Sequence, residues 1–222
     1  MTENSTPRKK DGNAAKVKRP QQERGILRYN ALLDAVHELL LEHEVEHIGL
    51  YAIAERAGVP PASAYHFFPT PIAALLAMAD RYRQKFSELT QDLDMPDDGR
   101  WQTLLRQRVV AAARAYNEMP SMQKLLLGAR TTRELAQSEA RFDEQMARRL
   151  VESFDRYFHM PVIREAERKC LVMLTLVDAV WRLSYAKHGT ITPEFEEESV
   201  LVAVSYSRTF LPEVLEMRIS SM

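Results

Sequence analysis

The 222-residue chain has one cysteine, Cys170, and only seven glycines. A single thiol excludes an internal disulfide framework and a cysteine-rich zinc site. Its neighbours Leu171, Val172, Met173 and Leu174 predict a buried, inert thiol. Few glycines, and little alternation of β-branched residues, favour helices over strands. No apolar stretch reaches the ~20 uninterrupted residues that a bilayer demands. The first residues are basic and polar, with no apolar core of a secretory signal, so the expected compartment is the cytoplasm. Net charge is only −1, which by itself does not suggest a polyanionic partner. What is present is ordinary for a folded globular chain: 45% hydrophobic and 27% charged residues, enough for one large or two modest domains.

The charge is unevenly distributed. Residues 1–24 hold seven basic and three acidic groups, a net +4, whereas residues 25–70 hold two basic and six acidic groups, a net −4. The basic segment 1–24 lacks apolar periodicity and reads as a disordered arm. Residues 25–70 read as a compact helical head. A first helix from about Gly25 to His43 puts Leu32, Ala35, Val36, Leu39 and Leu40 on one face. Leu50, Ile53, Ala54 and Ala57 share the face of a second, short helix. Gly58 follows where a helix ends in the left-handed conformation. Val59 can plug the corner, and Pro60 or Pro61 suits a first helical turn. A third helix then reaches Phe68. Two short helices about a tight corner are the plan of a DNA-binding helix-turn-helix, whose second helix enters the major groove.

Ile53-Ala54, Ala57-Gly58-Val59, Tyr65 and Phe68 stand at the spacing of a known pattern. The segment from about 25 to 80 resembles the tetracycline-repressor-like (TetR) family of bacterial transcriptional regulators. The resemblance implies an all-α fold: an N-terminal three-helix helix-turn-helix domain (25–70) and a C-terminal helical ligand-binding and dimerisation domain (71–222). It implies no enzyme activity and no cofactor, and a ligand-responsive regulator, most often a repressor. Such a regulator binds a palindromic operator in double-stranded DNA as a homodimer, and an apolar or amphipathic small-molecule effector releases it. The chain departs from the pattern at three places. Gly49 replaces the usual Ser or Thr cap, Ala62 stands where a glycine is common, and Pro71 stands where a lysine usually meets a phosphate. Pro71 after Thr70 opens a helix well but neutralises nothing.

The third helix contains no Arg, Lys, Asn or Gln, so bidentate readout of guanine or adenine is closed to it. The resemblance carries a phosphate contact onto Tyr65. Pro61, Ala62, Ser63, His66 and Phe67 are the candidates for the base surface, favouring thymine methyls and DNA shape. Lys18 and Arg19 of the basic arm are expected to neutralise phosphates that the acidic head cannot, as minor-groove arms do.

Beyond 71 the chain reads as six further helices: Pro71 to about Leu89, about Trp101 to Asn117, Met122 to Ala129, a long one opened by Thr131-Thr132-Arg133-Glu134 with capping-box spacing and running to about Phe158, 164–188, and 193–217. The helix over 164–188 is apolar on nearly every side and must be covered on every side. The last two helices are therefore expected to form the dimer seam. Candidate walls of an effector pocket are Trp101, Leu105, Val109, Met122, Met146, Phe154, Met173, Val177, Asp178 and Trp181, since Met and aromatic side chains adapt to varied ligands. Asp178 is an acid in an apolar run. It can pair with Arg182 one turn on, or meet a cationic or hydroxylated ligand.

Two rival readings remain. His43-Glu44-Val45-Glu46-His47 matches a zinc-peptidase pattern, which needs both imidazoles on one helical face and a third ligand. The first helix is expected to end at this point, separating them, so no metal site is expected. The acidic head and Pro71 also fit a protein of this fold that serves as an interaction module without specific DNA binding.

Overall fold

The computed structural model describes residues 19–90, 93–128 and 132–218. Among them are nine helices: α1 (Glu23–Glu42), α2 (Leu50–Arg56), α3 (Pro61–Phe67), α4 (Pro71–Thr90), α5 (Trp101–Asn117), α6 (Pro120–Gln123), α7 (Arg133–Tyr157), α8 (Ala166–His188) and α9 (Pro193–Ser207). The fold is all-α, and none of these helices is long and apolar enough to cross a membrane.

Local chemistry sets several boundaries. The α1 chain turns extended at His43, a short 3-10 turn covers Val45–His47, and α2 follows. The corner between α2 and α3 is closed by two reverse hydrogen bonds: the Gly58 amide donates to the Glu55 carbonyl, and the Val59 amide to the Ala54 carbonyl. That pairing is the Schellman arrangement, and it requires the left-handed φ of +64° that Gly58 adopts. Pro61 takes the first helical position of α3. Thr70 caps α4, its Oγ1 accepting from the Ala73 amide. Gly189 ends α8 at φ +71°.

Three expectations are corrected. Thr132, not Thr131, caps α7: its Oγ1 accepts from the Leu135 amide, which moves Glu134 out of capping-box register, while Thr131 lies outside the described residues. The helix expected over 122–129 is instead the short α6 continued by a widened turn over Lys124–Gly128. There a Cβ on Gly128 would come 2.5 Å from the Tyr185 ring, so the approach of that ring demands glycine. The last helix stops at Ser207, ten residues short of 217. Pro212 lacks an N–H and disfavours helix at Leu211. Beyond it the chain runs as a strap: the Trp101 indole and the Gln102 amide donate to the Pro212 and Glu213 carbonyls, and Phe158 and Met217 form a single antiparallel bridge.

One continuous apolar core runs from Leu32 in α1 to Leu215 in the strap. α4 belongs to both halves of it. It packs on α1 on one side and on α5 and α7 on the other. The boundary expected at residue 70 therefore coincides with no gap in packing.

Candidate nucleic-acid interface and effector cavity

The helix-turn-helix presents a small, mostly neutral face. Pro61, Ala62, Tyr65 and His66 are exposed and Ser63 is half-buried; Tyr65 is 57% exposed. Phe67 departs from expectation. It is 6% exposed, and its ring meets Tyr29 of α1 edge-on at 5.8 Å. Ala64 and Phe67, three apart, share the inward side of α3. Phe67 thus supports the face from beneath and is removed from the base surface. A residue missed in the sequence is Tyr51, near the start of α2 and 68% exposed, a second exposed tyrosine of the helix-turn-helix. Its signal was the mismatch of an aromatic on the polar side of an amphipathic helix.

The one cation of α2 is already used. Arg56 donates to both carboxylate oxygens of Glu42, at 3.0 and 2.6 Å, and to Glu38 at 3.4 Å. Arg19, at the base of the arm, lies 3.7 Å from Asp80 of α4. Lys18 lies outside the described residues. The zinc-peptidase pattern is divided as expected: His43 follows the end of α1 and His47 ends the 3-10 turn, so no single helical face carries both.

Head and body meet at a polar joint. His37 of α1 points Nδ1 at the Tyr82 hydroxyl of α4, 2.8 Å away, and at the Ser121 hydroxyl of α6, 2.9 Å away. Burial pushes the Tyr82 hydroxyl up to about 12, so it stays protonated and available as a donor. Lys124 donates to the His43 carbonyl at 3.3 Å, tying the segment after α6 to the end of α1.

Behind this joint a cavity of about 120 Å³ lies between the end of α4, α5, α7 and α8. Of the expected walls, Leu105, Val109, Met146, Met173, Val177, Asp178 and Trp181 line it. Three do not. Trp101 is turned away to the C-terminal strap by its indole hydrogen bond. Met122 is fully buried in the core. Phe154 lines a separate crevice with Cys170 and Phe210, where burial raises the Cys170 thiol to about 11. Unforeseen walls include Phe86, Arg108, Phe142 and Asp143. Asp178 does not pair with Arg182, which instead reaches Glu139 of α7. Burial, reinforced by Asp143, raises the Asp178 carboxyl to about 8, and burial with Glu139 raises Asp143 to about 6.

No protein-family model matches the chain, and no curated protein matches it in sequence. Solved structures do match its fold. A TetR-family transcriptional regulator from Streptomyces coelicolor superposes with a TM-score of 0.61 at 22% identity, over 84% of this chain and 98% of that one. SmeT, the repressor of the Stenotrophomonas maltophilia multidrug efflux pump SmeDEF, gives 0.60 at 19% identity, over 83% and 91%. A SmeT–triclosan complex gives 0.57 at 17% identity, over 84% and 92%. The chain therefore has a TetR-like fold: an N-terminal helix-turn-helix joined to an all-helical body.

Proposed function

We propose that the protein is a ligand-responsive, DNA-binding transcriptional regulator, a repressor acting in the cytoplasm. As a dimer it binds a palindromic operator, and an apolar or amphipathic small molecule releases it. The observation that carries this reading is the double use of α4. It packs on α1 of the head, where Tyr82 meets His37, and Phe86 near its C-terminal end lines the cavity. A ligand that enlarges the cavity displaces α4, and with it the head. Release is then a differential affinity of the ligand for two head spacings. Tyr65, with Ser63, His66, Pro61 and Ala62, forms the DNA face, and Lys18 and Arg19 reach phosphates from the arm. The structural neighbour SmeT, a repressor also solved with triclosan, supports the reading by likeness of fold.

Dimerisation is supported by an uncovered stripe. Val172, Leu176 and Leu183 of α8 and Leu201 of α9 are exposed, on two helices packed side by side. A second copy of the chain covers such a stripe and sets two recognition helices at a fixed spacing.

Selection of genomic fragments by the full chain at near-physiological salt, followed by sequencing, tests the reading. Enrichment of one palindrome, poor in invariant guanine contacts, is expected. No enrichment, with and without cell-extract metabolites, would favour a second reading, an interaction module without specific DNA binding. The net −4 charge of residues 25–70 is what favours that reading.

A further inference from the structure

The cavity is polarised along its length. At one end it is lined by Arg108 of α5. The Arg108 guanidinium donates to the Ser153 hydroxyl, but its buried Nε has no partner among the described residues. The titratable groups that act on Arg108 are Tyr157 and Arg156, not a carboxyl, and burial pushes the guanidinium down from its ordinary value. Arg149 of α7 stands exposed at the same end and donates to Ser87 at 3.3 Å. At the other end is Trp181 of α8, 4% exposed, whose buried indole N–H also has no acceptor among the described residues. Its ring lies 5.5 Å from that of Tyr116. Tyr116 is eight residues beyond Arg108 on α5, hence about 12 Å along the helix. A buried cation without a counter-ion and a buried donor without an acceptor both cost free energy unless something enters to meet them.

We propose that the cavity binds a linear organic monoanion with an acceptor at each end, a carboxylate at Arg108 and a neutral carbonyl oxygen at the Trp181 N–H, joined by an apolar chain. This rests on the reading of the cavity as the effector site and names the class of effector. The carboxylate supplies a counter-ion and an acceptor for Nε at once. A cation leaves both donors unmet, and an anion without the far oxygen satisfies one end only. The chain between the two heads lies among Leu105, Met146, Leu150 and Met173. The cavity is narrow, at about 120 Å³, and the two methionines widen it by changing rotamer.

The two aspartates of the cavity stand at the Trp181 end, away from the carboxylate. Asp143 and Asp178 both act on Tyr116, and neither acts on Arg108. Burial, reinforced by Asp143, keeps Asp178 protonated below about pH 8. In that form it is neutral and can donate to the same carbonyl oxygen as Trp181. Asp143 faces the cations Arg83 of α4 and Arg182 of α8. The far end is therefore suited to a neutral acceptor, and the charge of the ligand is specified by Arg108 alone.

The probe is 7-oxooctanoate, compared by calorimetry on the full chain with octanoate, which lacks the far oxygen, and with methyl 7-oxooctanoate, which lacks the charge. We expect the oxo acid to bind at least about tenfold more tightly than the ester and about threefold more tightly than octanoate. Arg108→Met should abolish the preference over the ester and keep the preference over octanoate. It removes a buried charge that has no counter-ion, so the fold should hold. Arg108→Lys should restore part of the lost preference. Trp181→Phe should abolish the preference over octanoate and keep that over the ester. Should this variant pack poorly, the Trp181 indole N–H resonance of the parent protein reports instead. It should move downfield with the oxo acid and not with octanoate, while that of Trp101, already bonded to the Pro212 carbonyl, stays in place. Equal or tighter binding of either comparator, a charge preference that survives in Arg108→Met, an unmoved Trp181 resonance, or no binding of the oxo acid at about millimolar concentration overturns the proposal. The operator selection involves no probe. Absence of these preferences with an intact palindrome refutes this inference alone, and a failed selection with intact preferences refutes the regulator.

Discussion

Gly58 and Gly49 flank α2 and have opposite requirements. Gly58 sits at φ +64° with open space where a Cβ would be, so only the backbone conformation resists a side chain. Gly58→Ala should lower stability by about 1 kcal/mol. Gly49 is the N-cap of α2 in extended backbone, makes no capping hydrogen bond, and also has open space around its Cβ position. Gly49→Ser should gain about 0.5 kcal/mol, from the cap and from a less flexible unfolded chain. Urea midpoints of the two variants read out the opposite signs. Asp178 gives a pH test. Its native carboxyl titrates at about 8 against an ordinary value of 3.8, so between these values the folded state holds a proton that the unfolded state has lost. Stability from this group is therefore intact at about pH 4, falls as pH rises, and levels off above about pH 8. Asp178→Asn should gain on the parent protein progressively from about pH 5 to about pH 8 in urea melts. A difference constant across that range would refute the assignment. At this scale Gly58 was legible in the sequence because few residues adopt its conformation. Phe67 was not. On a seven-residue helix one step of 100° separates the groove from the core, and only Tyr29, from another helix, shows which side is covered.

Helix starts were legible wherever a cap or proline stands, as at Thr70-Pro71 and Thr192-Pro193. Helix ends set by distant partners were not. Beyond Ser207 the chain is a strap held by Trp101 and Gln102, more than a hundred residues away in sequence, and the widened turn after α6 ends at Gly128 against the Tyr185 ring. The joint of α1, α4 and α6 belongs to the same category. His37, Tyr82 and Ser121 have no spacing that relates them, yet one imidazole nitrogen lies within hydrogen-bond distance of two buried hydroxyls. His37→Leu leaves both hydroxyls without that partner. Because Tyr82 and Ser121 are almost fully buried, the variant should lose about 1–3 kcal/mol of stability. Removing the hydroxyls as well, with Tyr82→Phe and Ser121→Ala, should recover part of that loss. A double-mutant cycle of His37 against Tyr82 checks the coupling, and an interaction energy near zero would show the joint to be incidental packing.

Two properties belong to the molecule as a whole, its field and its symmetry. The field is divided: the proposed DNA face is neutral, Arg56 is tied to Glu42, and residues 1–24 carry a net +4. Residues 1–18 carry five Lys or Arg. Each phosphate that one of them neutralises adds about 0.9 to the slope of log affinity against log salt. Deleting 1–18 should thus flatten the salt dependence of operator binding by up to about 4.5 units, and an unchanged slope would return the arm to the role of a solvated tail. The proposed two-fold dimer rests on the stripe on α8 and α9. Leu201 is 58% exposed and Leu183 49%, values that a monomer has no reason to keep on adjacent helices. Leu183→Glu together with Leu201→Glu sets like charges against each other across a two-fold seam without touching the core of one subunit. Sedimentation should then move from a dimer to the 25.6 kDa monomer, with helical circular dichroism retained. Operator affinity should fall by orders of magnitude, because two half-sites no longer share one rigid body. If the parent protein itself sediments at 25.6 kDa at micromolar concentration, the stripe has another occupant and the palindrome loses its structural basis.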